Sequence, residues 1–201
     1  MQQQKIKIIT INREYAASGR TVAKALSEGL NIPWYDWDFV RLTAEESGYT
    51  EEQVRKNSED LSLGTDIANR LFSNASYTSS QDSVFRAQRK VMIELTAKAP
   101  CIMVGRSSNF IYRDAGIPSF DILLHADLEY RLKRAGELGE NGSTDLLKYV
   151  MERDAKRHHH YKHYTKSNFE DCYNYDLCID VGRIGLDSTC QMLIALLKDR
   201  I

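Results

Sequence analysis

A chain of 201 residues has room for one domain with a modest insertion, and is long enough to bury a core without disulfide staples. Its 42% hydrophobic and 27% charged residues exclude a disordered polymer. The formal net charge of −1 excludes a general attraction to nucleic acid or anionic membrane, so any anion site must come from local clusters of arginine and lysine.

The first element is Lys5 to Ile11, a β-branched run suited to a buried strand. After the polar stretch Asn12 to Gly19, Thr21 to Leu30 carries Val22, Ala23, Leu26 and Leu30 at helical spacing. Ile32 to Tyr35 is a short extended piece leading to Asp36. This β-loop-α-β order opens a doubly wound parallel sheet. Residues 42–98 are more polar and read as helical, with a helix start at Thr50 to Glu52, a turn or two at Asp66 to Phe72 and a longer helix from Asp82 to Lys98. Regular alternation returns with a strand at Cys101 to Val104, a strand at Phe120 to Leu124, and an arginine-rich helix at Leu128 to Leu138. A turn-rich segment, Glu137 to Ser143, leads to a helix from Thr144 to about Tyr164. A strand at Tyr175 to Val181 and a helix at Ser188 to Lys198 close the chain. The expected fold is a single α/β domain over 1–201: a three-layer α/β/α sandwich on a five-stranded parallel sheet, with a helical insertion at about 42–98 as the expected place for acceptor binding.

The loop Ile11-Asn12-Arg13-Glu14-Tyr15-Ala16-Ala17-Ser18-Gly19-Arg20-Thr21 runs from strand to helix. A phosphate-binding loop needs backbone N–H groups converging at a helix N-terminus, small residues for close approach, a cation and a hydroxyl for Mg²⁺. Ala16, Ala17, Ser18 and Gly19 supply the small residues, Arg20 the cation and Thr21 the hydroxyl. Gly19-Arg20-Thr21 matches the end of GxxxxGK[ST] with Arg for Lys, while Glu14 stands in place of the first glycine. The alternative is a polar turn in which Ser18 caps the helix.

Ile-Thr-Ile-Asn-Arg-Glu-Tyr-Ala-Ala-Ser-Gly-Arg followed by Ile-Pro-Trp-Tyr-Asp resembles the cytidylate kinase-like family, whose loop typically reads ITISREYGSGGR followed by IPFYD. The resemblance continues at Val104-Gly105-Arg106-Ser107, at Asp154-Ala155-Lys156-Arg157 with Tyr161 beyond, and at Tyr175 to Ile179. It implies a P-loop nucleotide kinase fold and transfer of a phosphoryl group from ATP with Mg²⁺ to a nucleoside monophosphate, CMP or dCMP being favoured. Ala16 to Thr21 would hold ATP, and Thr21 the metal. Arg106, Asp36, Arg41, Asp154 and Arg157 would bind the acceptor. Arg20 would act in catalysis with Arg131 and Arg134, which lie three apart on one helix in a lid at about 131–160. The family's Gly-Ser-Gly-Gly is Ala16-Ala17-Ser18-Gly19 here, so the reading locates a loss of left-handed freedom at Ala16 and Ala17.

Two other functions stay open: a kinase with another small acceptor, and a nucleotide-binding regulatory module with little turnover. An NAD-dependent enzyme is excluded because no GxGxxG follows the first strand. The expected partner is a small-molecule nucleotide, with no nucleic acid and no membrane, in a monomer or homodimer. The run His158-His159-His160 with His163 lacks HExxH spacing and reads as an exposed basic face. Tyr161, Tyr164, Tyr173 and Tyr175 are expected to cover the core edge. Cys101, Cys172, Cys178 and Cys190 form no CxxC pair, and Cys101 and Cys178 lie in apolar runs. No signal-like segment opens the chain, which makes the cytoplasm the expected location.

Overall fold

The computed structural model describes residues 5–36, 43, 45, 46, 48, 50, 80–142 and 144–201. The expected helix at 66–72, the expected helix start beyond Thr50, and Arg41 lie outside these residues. The chain divides into two compact units, one formed by Met1–Asp36 with Leu95–Ile201 and the other by Trp37–Glu94.

In the first unit five strands form one parallel sheet: β1 (Ile8–Arg13), β2 (Trp34–Tyr35), β3 (Cys101–Val104), β4 (Ser119–His125) and β5 (Leu177–Asp180). Their order across the sheet is β2-β3-β1-β4-β5. β1 is central, with Ile8 paired to both Cys101 and Ser119. The sheet is covered on both faces, so Ile8, Ile9 and Ile11 are all fully buried, as a continuous apolar run in a parallel strand requires.

The helices among the described residues are α1 (Gly19–Leu30), α2 (Ser80–Lys98), α3 (Ser108–Asp114), α4 (Leu128–Leu138), α5 (Leu146–Thr165), α6 (Val181–Ile184) and α7 (Leu186–Leu197). The periodic residues of α1 do what their spacing predicts: Val22, Ala23 and Leu26 are buried in one cluster with Ile9, Ile102, Ile122 and Leu193. Asp127 and Asp145 cap α4 and α5 by accepting from Tyr130 N–H and Lys148 N–H. No helix among the described residues is long and apolar enough to cross a membrane.

In the second unit the described part of α2 buries Val84, Ala87, Val91 and Met92, and Lys90 on its outer face pairs with Glu46.

Three local differences from the sequence reading stand out. Helix α3 was not anticipated; its seven residues, SNFIYRD, are too short and polar for a periodic signal, yet Ile111 and Tyr112 are buried. Cys101 is buried as expected, but Cys178 is exposed, because β5 is an edge strand. Tyr161 and Tyr175 close the core edge, whereas Tyr173 is 90% exposed.

Candidate active site

The connections leaving β1 and β3 diverge, since β1 leads through α1 to β2 at one side and β3 leads through α3 to β4 at the other. That is the crevice where open α/β sheets bind ligands, and the loop 14–18 and the segment Gly105–Ser107 border it. The loop is anchored at its base by Glu14 N–H to Leu124 O (3.1 Å) and by a turn from Ala17 N–H to Glu14 O (3.3 Å). Ala16 (φ 62°) and Ser18 (φ 60°) are left-handed. The constraint therefore falls on Ala16 and Ser18, which corrects the expectation for Ala17. Ser18 makes no capping hydrogen bond; its Oγ lies 3.3 Å from the Tyr130 hydroxyl. The N-terminus of α1 is thus not closed by the Ser18 side chain, a geometry in which a helix N-terminus can receive an anion.

The left-handed backbone of a residue with a Cβ costs about 1 kcal/mol or more. Ala16→Gly is expected to raise stability by up to about 1 kcal/mol, whereas Ala17→Gly should lower it by about that amount, losing a buried methyl with no strain to relieve. Urea unfolding of the two variants checks the opposite signs; equal shifts would refute the assignment.

The cation at the loop end, Arg20, is held by carboxylates. Its Nε lies 2.6 Å from Asp36 Oδ2 and its Nη1 3.8 Å from Glu140 Oε1. Thr21 is exposed on the first turn of α1. Asp36 is buried and also faces Arg13, whose Nη2 is 4.0 Å from Asp36 Oδ1. Arg13 was not singled out from the sequence. It lies across two glycines: a Cβ on Gly105 would fall 2.0 Å from Arg13 Nη1, and one on Gly19 would fall 2.8 Å from Arg13 Cγ. The signal was present, since Arg13 ends a buried strand at the carboxyl edge of the sheet, the same argument that selected Arg106.

Arg157 reaches the same region, donating to Arg13 O at 3.4 Å. Burial, then the Arg13 charge, push its guanidinium down to about 9, which leaves it cationic at neutral pH. Beyond β3, Gly105 (φ 74°), Arg106 (φ 62°) and Ser107 (φ 53°) are left-handed in succession. Two of these three carry side chains, and strain of this kind concentrates at functional sites. Ser107 Oγ lies 3.5 Å from His160 Nδ1. His160 is therefore not part of an exposed basic face; burial, followed by the Arg106 charge, pushes it down to about 3 and keeps it neutral.

Arg131 and Arg134 part company. Arg131 is 7% exposed and its Nη1 pairs with Asp154 Oδ2, while its Nε donates to Ala126 O at 3.1 Å. Arg134 points outward and pairs with Glu137 at 2.7 Å. Asp154, also 7% exposed, accepts the Tyr15 N–H at 2.7 Å through its other oxygen. The structure thus brings Arg20, Asp36 and Arg157 together around Arg13, and ties Asp154 and Arg131 to the base of the loop.

The donor set suits Mg²⁺ carried in on a polyphosphate. Among the described residues no group of three or more His, Cys, Asp or Glu side chains forms a cage. Mg²⁺ keeps its waters and binds phosphate oxygens with few protein ligands. A left-handed loop at a helix N-terminus is a geometry that can receive the phosphate oxygens such an ion accompanies.

The profile of the cytidylate kinase-like family matches residues 8–183. No curated protein matches the chain. Among solved structures, an uncharacterized protein from Eubacterium ventriosum is 22% identical and superposes with a TM-score of 0.67, covering 96% of this chain and 99% of that one. Shikimate kinase from Bacteroides thetaiotaomicron is 15% identical with a TM-score of 0.56, over 95% of this chain and 98% of its own. Shikimate kinase from Acinetobacter baumannii, in complex with shikimate, gives 13% and 0.53 over 96% and 94%. At these identities the likeness is one of fold, that of P-loop kinases.

Proposed function

We propose that this chain, which belongs to the cytidylate kinase-like family, transfers the γ-phosphoryl group of ATP to a nucleoside monophosphate, with CMP or dCMP favoured, in the cytoplasm. The observation that carries the reading is the left-handed loop at the N-terminus of α1, flanked by Arg13, Arg20 and Arg157. In the transfer, the bond from the γ-phosphorus to the β–γ bridging oxygen breaks, a bond to an acceptor phosphate oxygen forms, and ADP leaves. Such a reaction asks the protein chiefly for positioning and for neutralisation of charge.

The loop amides from Ala16 to Gly19 and the Arg20 guanidinium bind the β and γ phosphates, and Thr21 offers a hydroxyl to the metal. Mg²⁺, which Thr21 would help to hold, would supply further charge neutralisation for the transfer. Asp36, already paired with Arg13 and Arg20, orients both guanidinium groups. Arg106 and Arg157, with Arg13 between their elements, receive the acceptor phosphate. Arg134 stays half-buried at the surface beside Glu137 and belongs to the part of 131–160 that closes over the nucleotides.

A coupled assay of ADP release with ATP-Mg²⁺ tests this, using a panel of nucleoside monophosphates and small hydroxyl compounds. CMP- or dCMP-dependent turnover that falls about 100-fold or more in Arg20→Ala is the expected result. Turnover only with a hydroxyl compound would replace the acceptor. ATP binding without turnover on any acceptor would favour a regulatory module, a reading to which the pairing of Arg20 with two carboxylates lends weight.

A further inference from the structure

By resemblance, Asp154 belongs to the acceptor site, yet its carboxylate is committed elsewhere. Oδ1 accepts the Tyr15 N–H at 2.7 Å, and Oδ2 pairs with Arg131 Nη1. Arg131 Nε lies 3.4 Å from Glu14 Oε2, and Glu14 Oε2 in turn accepts the Ala126 N–H at 3.1 Å. Glu14 and Tyr15 are neighbours in the chain, so the contacts close a ring: Asp154, Arg131, Glu14, Tyr15 and back to Asp154. The ring joins α4 and α5 to the two residues that immediately precede left-handed Ala16.

The Tyr15 side chain adds a second hold. Its ring meets Tyr149 edge to face at 5.4 Å and lies under the guanidinium of Arg157 at 5.4 Å. Its hydroxyl donates to Glu140 at 2.8 Å, from the turn that follows α4. A residue pinned at its amide, its ring and its hydroxyl has little freedom, and the conformation of the next residue is fixed with it.

We infer that Asp154 is a positioning residue for the phosphate loop: it holds the Tyr15 amide so that Ala16 stays left-handed and the loop amides stay aimed at a polyphosphate. This rests on the nucleotide reading of the loop. It assigns Asp154 to the ATP side of the reaction instead of the acceptor side. It would also account for how the loop keeps its shape with alanine at position 16, where the family pattern that it resembles reads glycine, because the side chains of α4 and α5 enforce what glycine would permit.

The test compares wild type, Asp154→Ala and Asp154→Asn. Asparagine keeps the volume and one oxygen that accepts the Tyr15 N–H, but loses the charge on Arg131. Amide hydrogen exchange at residues 15–17 and the separate KM values for ATP-Mg²⁺ and for the acceptor are read in each. In Asp154→Ala, exchange at Tyr15 should accelerate and the KM for ATP should rise by about 10- to 100-fold, the worth of a hydrogen bond to a charged group, with the acceptor KM unchanged. Asp154→Asn should fall between the two, and it carries the comparison if the alanine variant does not fold. A raised acceptor KM with unaltered Tyr15 exchange would overturn the inference. If wild type binds no ATP while exchange still accelerates in the variants, the nucleotide reading fails and the hold on Tyr15 stands.

Discussion

Replacing Arg131 by alanine is expected to lower stability by about 3–5 kcal/mol, because it takes the guanidinium partner from the buried Asp154 carboxylate and from the half-buried Glu14. Asp154 and Glu14 face Arg131 from different elements, and the guanidinium is also the donor to Ala126 O. In a chain of this size such a loss corresponds to a fall in melting temperature of about 10 °C. Arg134→Ala is the contrast: its exposed pair with Glu137, one turn away on the same helix, is worth at most about 0.5 kcal/mol. Thermal melts of the two variants separate the roles. If Arg131 instead belonged to a mobile lid, Arg131→Ala would melt with wild type and lose only turnover.

That contrast shows how the region around the loop is built. Helix α5 contributes side chains at successive inward positions: Asp154 to the Tyr15 amide, Arg157 to the Arg13 carbonyl, His160 to Ser107 and Tyr161 to the buried amide of Asn109. Asn109 is bonded in turn to Asn12 on β1 at 2.9 Å. One helix face therefore touches the ends of β1 and β3 and the loop between β1 and α1. Buried polar contacts of this kind are costly when half-made, so they specify a single arrangement of the loop.

The sheet was legible because a buried parallel strand leaves a continuous apolar run, as Ile8 to Ile11 and Cys101 to Val104 do. Helix ends were read less well: α1 begins at Gly19, two residues before the periodic pattern starts, because the loop after β1 itself winds into the helix. Spacing placed Arg131 and Arg134 on a shared face, but a helix face is broad. One of them found a buried carboxylate and the other a surface partner. No pattern within α4 distinguishes the two, since the partners Glu14 and Asp154 lie more than a hundred residues before and about twenty after. The histidine run misled for the same reason, since His160 meets Ser107 across the fold and His158 stacks on Phe169 beyond the end of α5. Motif matching pointed to the loop but passed over Arg13, which lies outside the GxxxxGK[ST] window and whose side chain reaches across Gly19 and Gly105.

Gly105→Ala turns that reach into a measurable effect. Gly105 has a φ of 74°, and its new methyl would stand 2.0 Å from Arg13 Nη1. The guanidinium is the far end of a flexible side chain, so it yields and the fold survives. The backbone strain is worth about 1–2 kcal/mol, a fall of a few degrees in melting temperature. The functional loss should be much larger than the loss of stability. Arg13 can no longer lie between Gly105 and Asp36, and misplacing a positioning cation by about 1 Å costs on the order of 100-fold in rate. Gly116→Ala supplies the control, because Gly116 has nearly the same φ, 66°, with nothing within 4 Å of the added methyl. Both variants should lose similar stability, and only Gly105→Ala should lose phosphoryl transfer. Equal activity in the two would mean that Arg13 is a structural arginine and that the cations serving the transfer are Arg20, Arg106 and Arg157 alone.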